Sequence, residues 1–126
     1  MATIHPTIEA IEAINLEEVT PFLLARHASR KVQATAARAL FQQLGLKKIS
    51  VTVPRYSMAS TVDVRLPEVK FTAEDYAEWD AAYNRGEDTN TTTEVGRIRT
   101  RESAAAKKLG EILDRAFPNH IDKSDY

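Results

Sequence analysis

Two His-x-Thr/Ser triplets, His5-Pro6-Thr7 and His27-Ala28-Ser29, hold the side chains of this sequence best suited to moving protons. Paired triplets of this kind serve phosphodiesterases, where two histidines act as acid and base across one phosphate. Here both fall at the edges of helical segments and not on strands, so a terminal loop and a helix cap account for them. The third histidine, His120, stands at no i+3 or i+4 spacing from either, and no metal set is expected. The acids around Asp88 fail the calcium-loop pattern, because its sixth and twelfth positions hold Thr93 and Arg99 in place of Gly and Glu. Gly45, Gly86, Gly96 and Gly110 are too scattered to cradle a phosphate. The chain has no cysteine, which removes thiolate nucleophiles, disulfides and cysteine-ligated metals. No catalytic residue, metal or cofactor is therefore expected, and the reading is a binding protein and not an enzyme.

Charge carries more. The net charge is −1, but its signs are segregated along the chain. Residues 1–18 hold four acids and no base, and residues 19–62 hold seven bases and no acid. Residues 63–95 are acidic again, and 96–126 are mildly basic. Segregation of this kind makes local fields even when the total is near zero. Either the blocks neutralise one another in the fold, or the second block presents a basic face to an anionic partner. His27, Arg30, Lys31, Arg38, Lys47, Lys48 and Arg55 are the candidate partner-binding residues. Tyr76, Trp79 and Tyr83 could stack bases, but they lie in the acidic block at helical spacing and read as core.

These residues must be placed by a small set of elements. Residues 6–28 have helix-like apolar spacing interrupted at Asn15 and Pro21, so two short helices are expected, the second capped by Thr20. Residues 30–44 read as a helix between Ser29 and Gly45, with Val32, Ala36, Ala39 and Leu40 inward and His27, Lys31, Arg38 and Gln42 outward. Residues 48–54 and 60–66 alternate in β-branched side chains and predict an antiparallel hairpin. Thr72 starts a helix that ends near Gly86. Residues 86–94 contain nothing apolar before Val95 and read as a mobile loop. A last helix runs over about 95–116, with only Glu102 breaking its apolar seam, and residues 119–126 read as frayed. The expected fold class is α+β in one domain: N-terminal helices, a two-stranded hairpin, then two C-terminal helices. No segment approaches a membrane span or a secretory leader, and a cytoplasmic location without membrane partners is expected.

From Arg30 to Leu66 the chain resembles the large polyvalent protein-associated domains of phages and conjugative elements. The resemblance rests on Arg30-Lys31, Lys48-Ile49-Ser50-Val51-Thr52-Val53, Tyr56-Ser57 and Thr61-Val62-Asp63-Val64, with Asp122-Lys123-Ser124-Asp125-Tyr126 similar to the start of that family's acidic-aromatic tail. Leu44-Gly45-Leu46 replaces the family's Phe-Pro-Gly turn. The resemblance implies a small non-enzymatic accessory protein of a mobile element. Such a protein would bind and block a host protein or nucleoprotein complex, host-defence inhibitors being one such class. The alternative is direct nucleic-acid binding through the basic helix-hairpin block. The oligomeric state and the partner's identity stay open.

Overall fold

Helix boundaries follow local capping chemistry. The computed structural model describes residues 3–21, 29–53 and 62–117, and the backbone of 123–124. Helix α1 (Pro6–Glu12) has proline at its first position and is capped by His5, whose Nδ1 accepts the Thr7 amide at 3.1 Å. A single 3₁₀ turn, Leu16–Glu18, follows under an Asn15 cap. The second helix expected after Thr20 falls on residues 22–28, outside the described residues. Helix α2 (Arg30–Gln43) opens on Ser29, whose hydroxyl accepts the Val32 amide at 3.3 Å. It closes with the Leu46 amide donating to the Phe41 carbonyl and the Gly45 amide to that of Gln42. Gly45 takes φ +74°, the left-handed conformation this closure needs.

Strands β1 (Ser50–Thr52) and β2 (Val62–Arg65) pair antiparallel with Val51 opposite Val64, and Val51, Val62 and Val64 are buried. The expected alternation is therefore present. The sheet, however, has three strands. The two-residue strand β3 (Lys123–Ser124) lies parallel against the other edge of β2. Within the tail expected to fray over 119–126, these two residues pair with the second edge of β2, which offers them backbone groups.

Helix α3 (Ala73–Asn84) carries a full capping box between Thr72 and Asp75. The segment 86–94, expected as a mobile loop, has local structure of its own. It contains the one-turn helix α4 (Thr89–Thr92), capped by Asp88, and leads directly into the long helix α5 (Glu94–Ala116). Hydroxyl groups hold this segment in place of apolar side chains. Thr93 is fully buried; its hydroxyl donates to the Thr89 carbonyl at 2.7 Å and accepts the Gly96 amide at 3.0 Å. A Cβ built on Gly96 would lie 1.8 Å from the Thr89 carbonyl oxygen, so only glycine lets α4 lie this close to α5.

Helix α5 is the spine. Helices α1, α3 and α4 pack on it, while α2 packs on β1 and β2. Its apolar seam, with Leu109, Ile112, Leu113 and Ala116, joins Ile8 and Ile11 of α1, Phe41 of α2 and the sheet valines in one core. The architecture is α+β, with helices at both ends and an antiparallel strand pair between them.

Candidate anion-binding surface

The buried face of α2 decides which cations can meet a partner. Ala34, Ala37, Leu40 and Phe41 face the core, and Val32 and Ala39 are exposed. Of the expected inward face, Leu40 is buried and Ala36 half-buried against the core, but Val32 and Ala39 face solvent, so the face is turned by roughly a third of a turn about the helix axis. Alanines occur all round α2, so its large apolar residues set the orientation, and Phe41 with Leu40 outweighs Val32.

Lys31 and Arg38 remain exposed after this correction. Arg38 Nη2 donates to the Val51 carbonyl at 2.7 Å, which fixes the guanidinium against the middle of β1. The turn after α2 then brings Lys47 and Lys48 to the same place. Arg38, Gln42, Lys47 and Lys48 line a shallow cleft of about 300 Å³ floored by Phe41 and Leu46. Lys48 sits at φ +65°, a left-handed conformation that a non-glycine residue adopts at a cost. The turn is also tied from below, where the Thr7 hydroxyl of α1 donates to the Lys47 carbonyl. His5, whose triplet suggested acid–base chemistry, is here the cap of α1, and its Thr7 is a buried anchor for the turn.

Of the seven residues expected to bind a partner, three (Arg38, Lys47 and Lys48) converge on this cleft. Lys31 stands two turns away, about 10 Å along α2. Arg30 is half-buried and has interactions of its own. His27 and Arg55 lie outside the described residues. Among the described residues, no carboxylate forms an ion pair with Lys31, Arg38, Lys47 or Lys48.

Arg99 and Arg101 of the last block, by contrast, are paired with carboxylates. Arg101 makes a two-pronged hydrogen bond to Glu12, one arm at 3.1 Å, and Lys108 donates to the Glu12 carbonyl at 2.8 Å. The hydrogen bond from Arg101 holds the Glu12 carboxyl below its ordinary value, against the opposing effect of burial. Arg99 pairs with Glu102 at 3.1 Å and lies 4.0 Å from Glu68. Glu102, the one charged residue in the α5 seam, also accepts the Val69 amide at 3.3 Å. These residues line a second cleft of about 650 Å³ between α5 and the strand exit at Arg65–Glu68. Sequence reasoning missed this cleft; the buried position of Glu102 in an otherwise apolar repeat was its signal. Its arginine and glutamate charges largely answer each other, so it offers no strong field to a ligand.

Neutralisation between blocks therefore does occur, but it joins the first and third blocks to the last. The described exposed cations of the second block are left over. Among the described residues, no group of three or more histidines and carboxylates is placed to hold a metal ion. No helix among them is long and apolar enough to cross a membrane. The chain matches no family model, no curated protein and no solved structure.

Proposed function

We propose that this chain is a non-enzymatic binding protein that seats an anionic surface of a host macromolecular complex on the Arg38–Lys47–Lys48 cleft and so blocks that complex. One observation carries the reading: among the described residues the cations at this cleft have no carboxylate partner, whereas Arg85, Arg99 and Arg101 each have one. An unmatched cation cluster beside a low-dielectric floor attracts an anionic surface and sets its register. The strained backbone at Lys48 supports it as well, since strain of about 1–3 kcal/mol is commonly retained where function needs it. The resemblance to phage and conjugative-element domains gives the setting: an accessory protein acting in the cytoplasm of a bacterial host, with host defence one such target.

Affinity capture from a bacterial lysate, with and without nuclease, tests this reading. A discrete complex should be retained after nuclease treatment and lost with Lys47→Ala plus Lys48→Gly. Glycine relieves the left-handed backbone at position 48, so the doubly substituted chain should melt no lower than the parent while binding falls roughly tenfold or more. Undiminished capture by the folded variant would refute the site. Binding of free DNA or RNA with a steep salt dependence would instead establish direct nucleic-acid recognition by the same cations.

A further inference from the structure

Helix α3 presents an aromatic face that the fold does not use. Of its twelve residues only Ala82 is buried. Tyr76, Trp79 and Tyr83, expected in the core from their spacing, lie elsewhere: Tyr76 is 48% and Tyr83 65% exposed, and Trp79 is half-buried. Trp79 and Tyr83 stack nearly parallel, with ring centroids 5.3 Å apart and 9° between planes. Stacking two rings side by side on the outside of a helix stiffens a flat apolar patch without removing it from water. Asp80 falls at i+4 from Tyr76 and i−3 from Tyr83, so it borders this face. It is exposed and, among the described residues, has no hydrogen-bonding or ion-pair partner.

The same strip already holds one arginine. The Arg99 guanidinium lies 4.8 Å from the Phe71 ring centroid, Phe71 meets Tyr76 edge-on at 5.9 Å, and Arg99 is completed by Glu102 and Glu68. A guanidinium over an aromatic ring with a carboxylate beside it is a favourable combination, because the ring face and the carboxylate both attract the cation. Tyr83, Trp79 and Asp80 repeat those ingredients further along the helix, and among the described residues no guanidinium lies over these rings or pairs with Asp80.

We infer that this face of α3 docks an arginine-bearing, basic segment of a protein partner. The arginines would lie over the Trp79–Tyr83 stack and pair with Asp80. This inference is independent of the anion-binding cleft, which involves other elements and the opposite charge. It gives the chain two faces of opposite sign, suited to a partner that carries both an anionic and a basic surface.

Trp79 is the chain's single tryptophan, so its fluorescence reports on α3 alone. The full-length protein is titrated with an oligo-arginine peptide, with an oligo-glutamate peptide and a single-stranded oligonucleotide as controls. Oligo-arginine should change Trp79 emission saturably, and the controls should not. Asp80→Lys should weaken the oligo-arginine response at least tenfold, and Tyr83→Ala should weaken it severalfold, both in chains whose circular dichroism matches the parent. Lys47→Ala with Lys48→Gly should leave the response unchanged, which separates this face from the cleft. The inference is overturned by a response that survives Asp80→Lys, by saturable quenching with the oligonucleotide, or by no response to oligo-arginine. Emission that shifts with protein concentration alone, together with self-association lost in Tyr83→Ala, would also overturn it in favour of a second copy of this chain.

Discussion

Helices α3 and α5 have similar apolar spacing in sequence and opposite fates in the fold. Helix α5 buries ten residues and helix α3 one. The difference lies in what stands at the apolar positions. In α5 they are Val95, Ile98, Leu109, Ile112 and Leu113, aliphatic side chains that gain most by leaving water. In α3 they are two tyrosines and a tryptophan, which keep a polar edge and tolerate a half-wet surface. Helix α3 is held instead by its caps and by the contact of Ala82 with the rest of the fold. Periodicity reports which side chains share a face, but their chemistry decides whether that face is turned inward.

The largest expected effect comes from opposing substitutions in the two helices. Leu109 is fully buried, and Leu109→Ala should cost about 2–5 kcal/mol in unfolding free energy. Tyr83→Ala should cost no more than about 1 kcal/mol, the scale of a surface aromatic pair. Urea unfolding of both variants checks the contrast. If Tyr83→Ala proved as damaging as Leu109→Ala, α3 would be part of the core after all.

Next is the seam between α4 and α5. Gly96→Ala places a methyl carbon where the Thr89 carbonyl oxygen stands, so α4 must move away. The expected cost is about 1–3 kcal/mol, with limited proteolysis between Asp88 and Thr93 increased well beyond the loss of global stability. Unchanged cleavage there would show that α4 is already loose.

Somewhat smaller is the effect of Glu102→Ala. This carboxylate is the polar insertion in the α5 seam and holds both Arg99 and the Val69 amide. Its loss leaves these donors short of a partner and should cost about 1–2 kcal/mol. Glu102→Gln should recover part of that, since an amide oxygen still accepts the Val69 amide. Equal losses for alanine and glutamine would assign the whole effect to the charge on Arg99.

Much of this fold could be read from residue types. Ser29, Thr72 and Gly45 mark helix ends because each satisfies backbone groups that a helix leaves open. The valines of β1 and β2 alternate because one sheet face is buried. Segment 86–94 could not be read this way: Thr93 and Gly96 pack through a hydroxyl and a missing side chain, and neither registers in an apolar pattern. The facing of α2 was obscured by its alanines, which suit a buried or an exposed position equally well. For the candidate site, the acid-free stretch from 19 to 62 includes Lys31, Arg38, Lys47 and Lys48, which pair with no carboxylate among the described residues. It could not distinguish Arg30, which has interactions inside the fold, from Lys47 and Lys48, which a left-handed turn brings beside Arg38. Convergence of that kind depends on backbone conformation and not on spacing.

The smallest effect tests how charge is shared between the ends of the chain. Glu12, the last residue of α1, is held ionised by the hydrogen bond from Arg101 on α5, so its folded pKa lies below its ordinary value of 4.5. A carboxyl with a depressed folded pKa stabilises the fold fully above its unfolded pKa, and that stabilisation is lost as pH falls through the folded pKa. Glu12→Gln should therefore lower the melting temperature slightly at neutral pH. The gap from the parent should close as pH falls below about 4.5. Both side chains reach solvent, so raising the salt concentration should narrow the gap at neutral pH as well. Lys47→Ala is the matching control from the other cation set: with no carboxylate paired to it, its difference from the parent should show no such acid dependence. A parent–variant gap for Glu12→Gln that persists unchanged in acid would mean that packing of the α1 end, and not the ion pair, joins the two helices there.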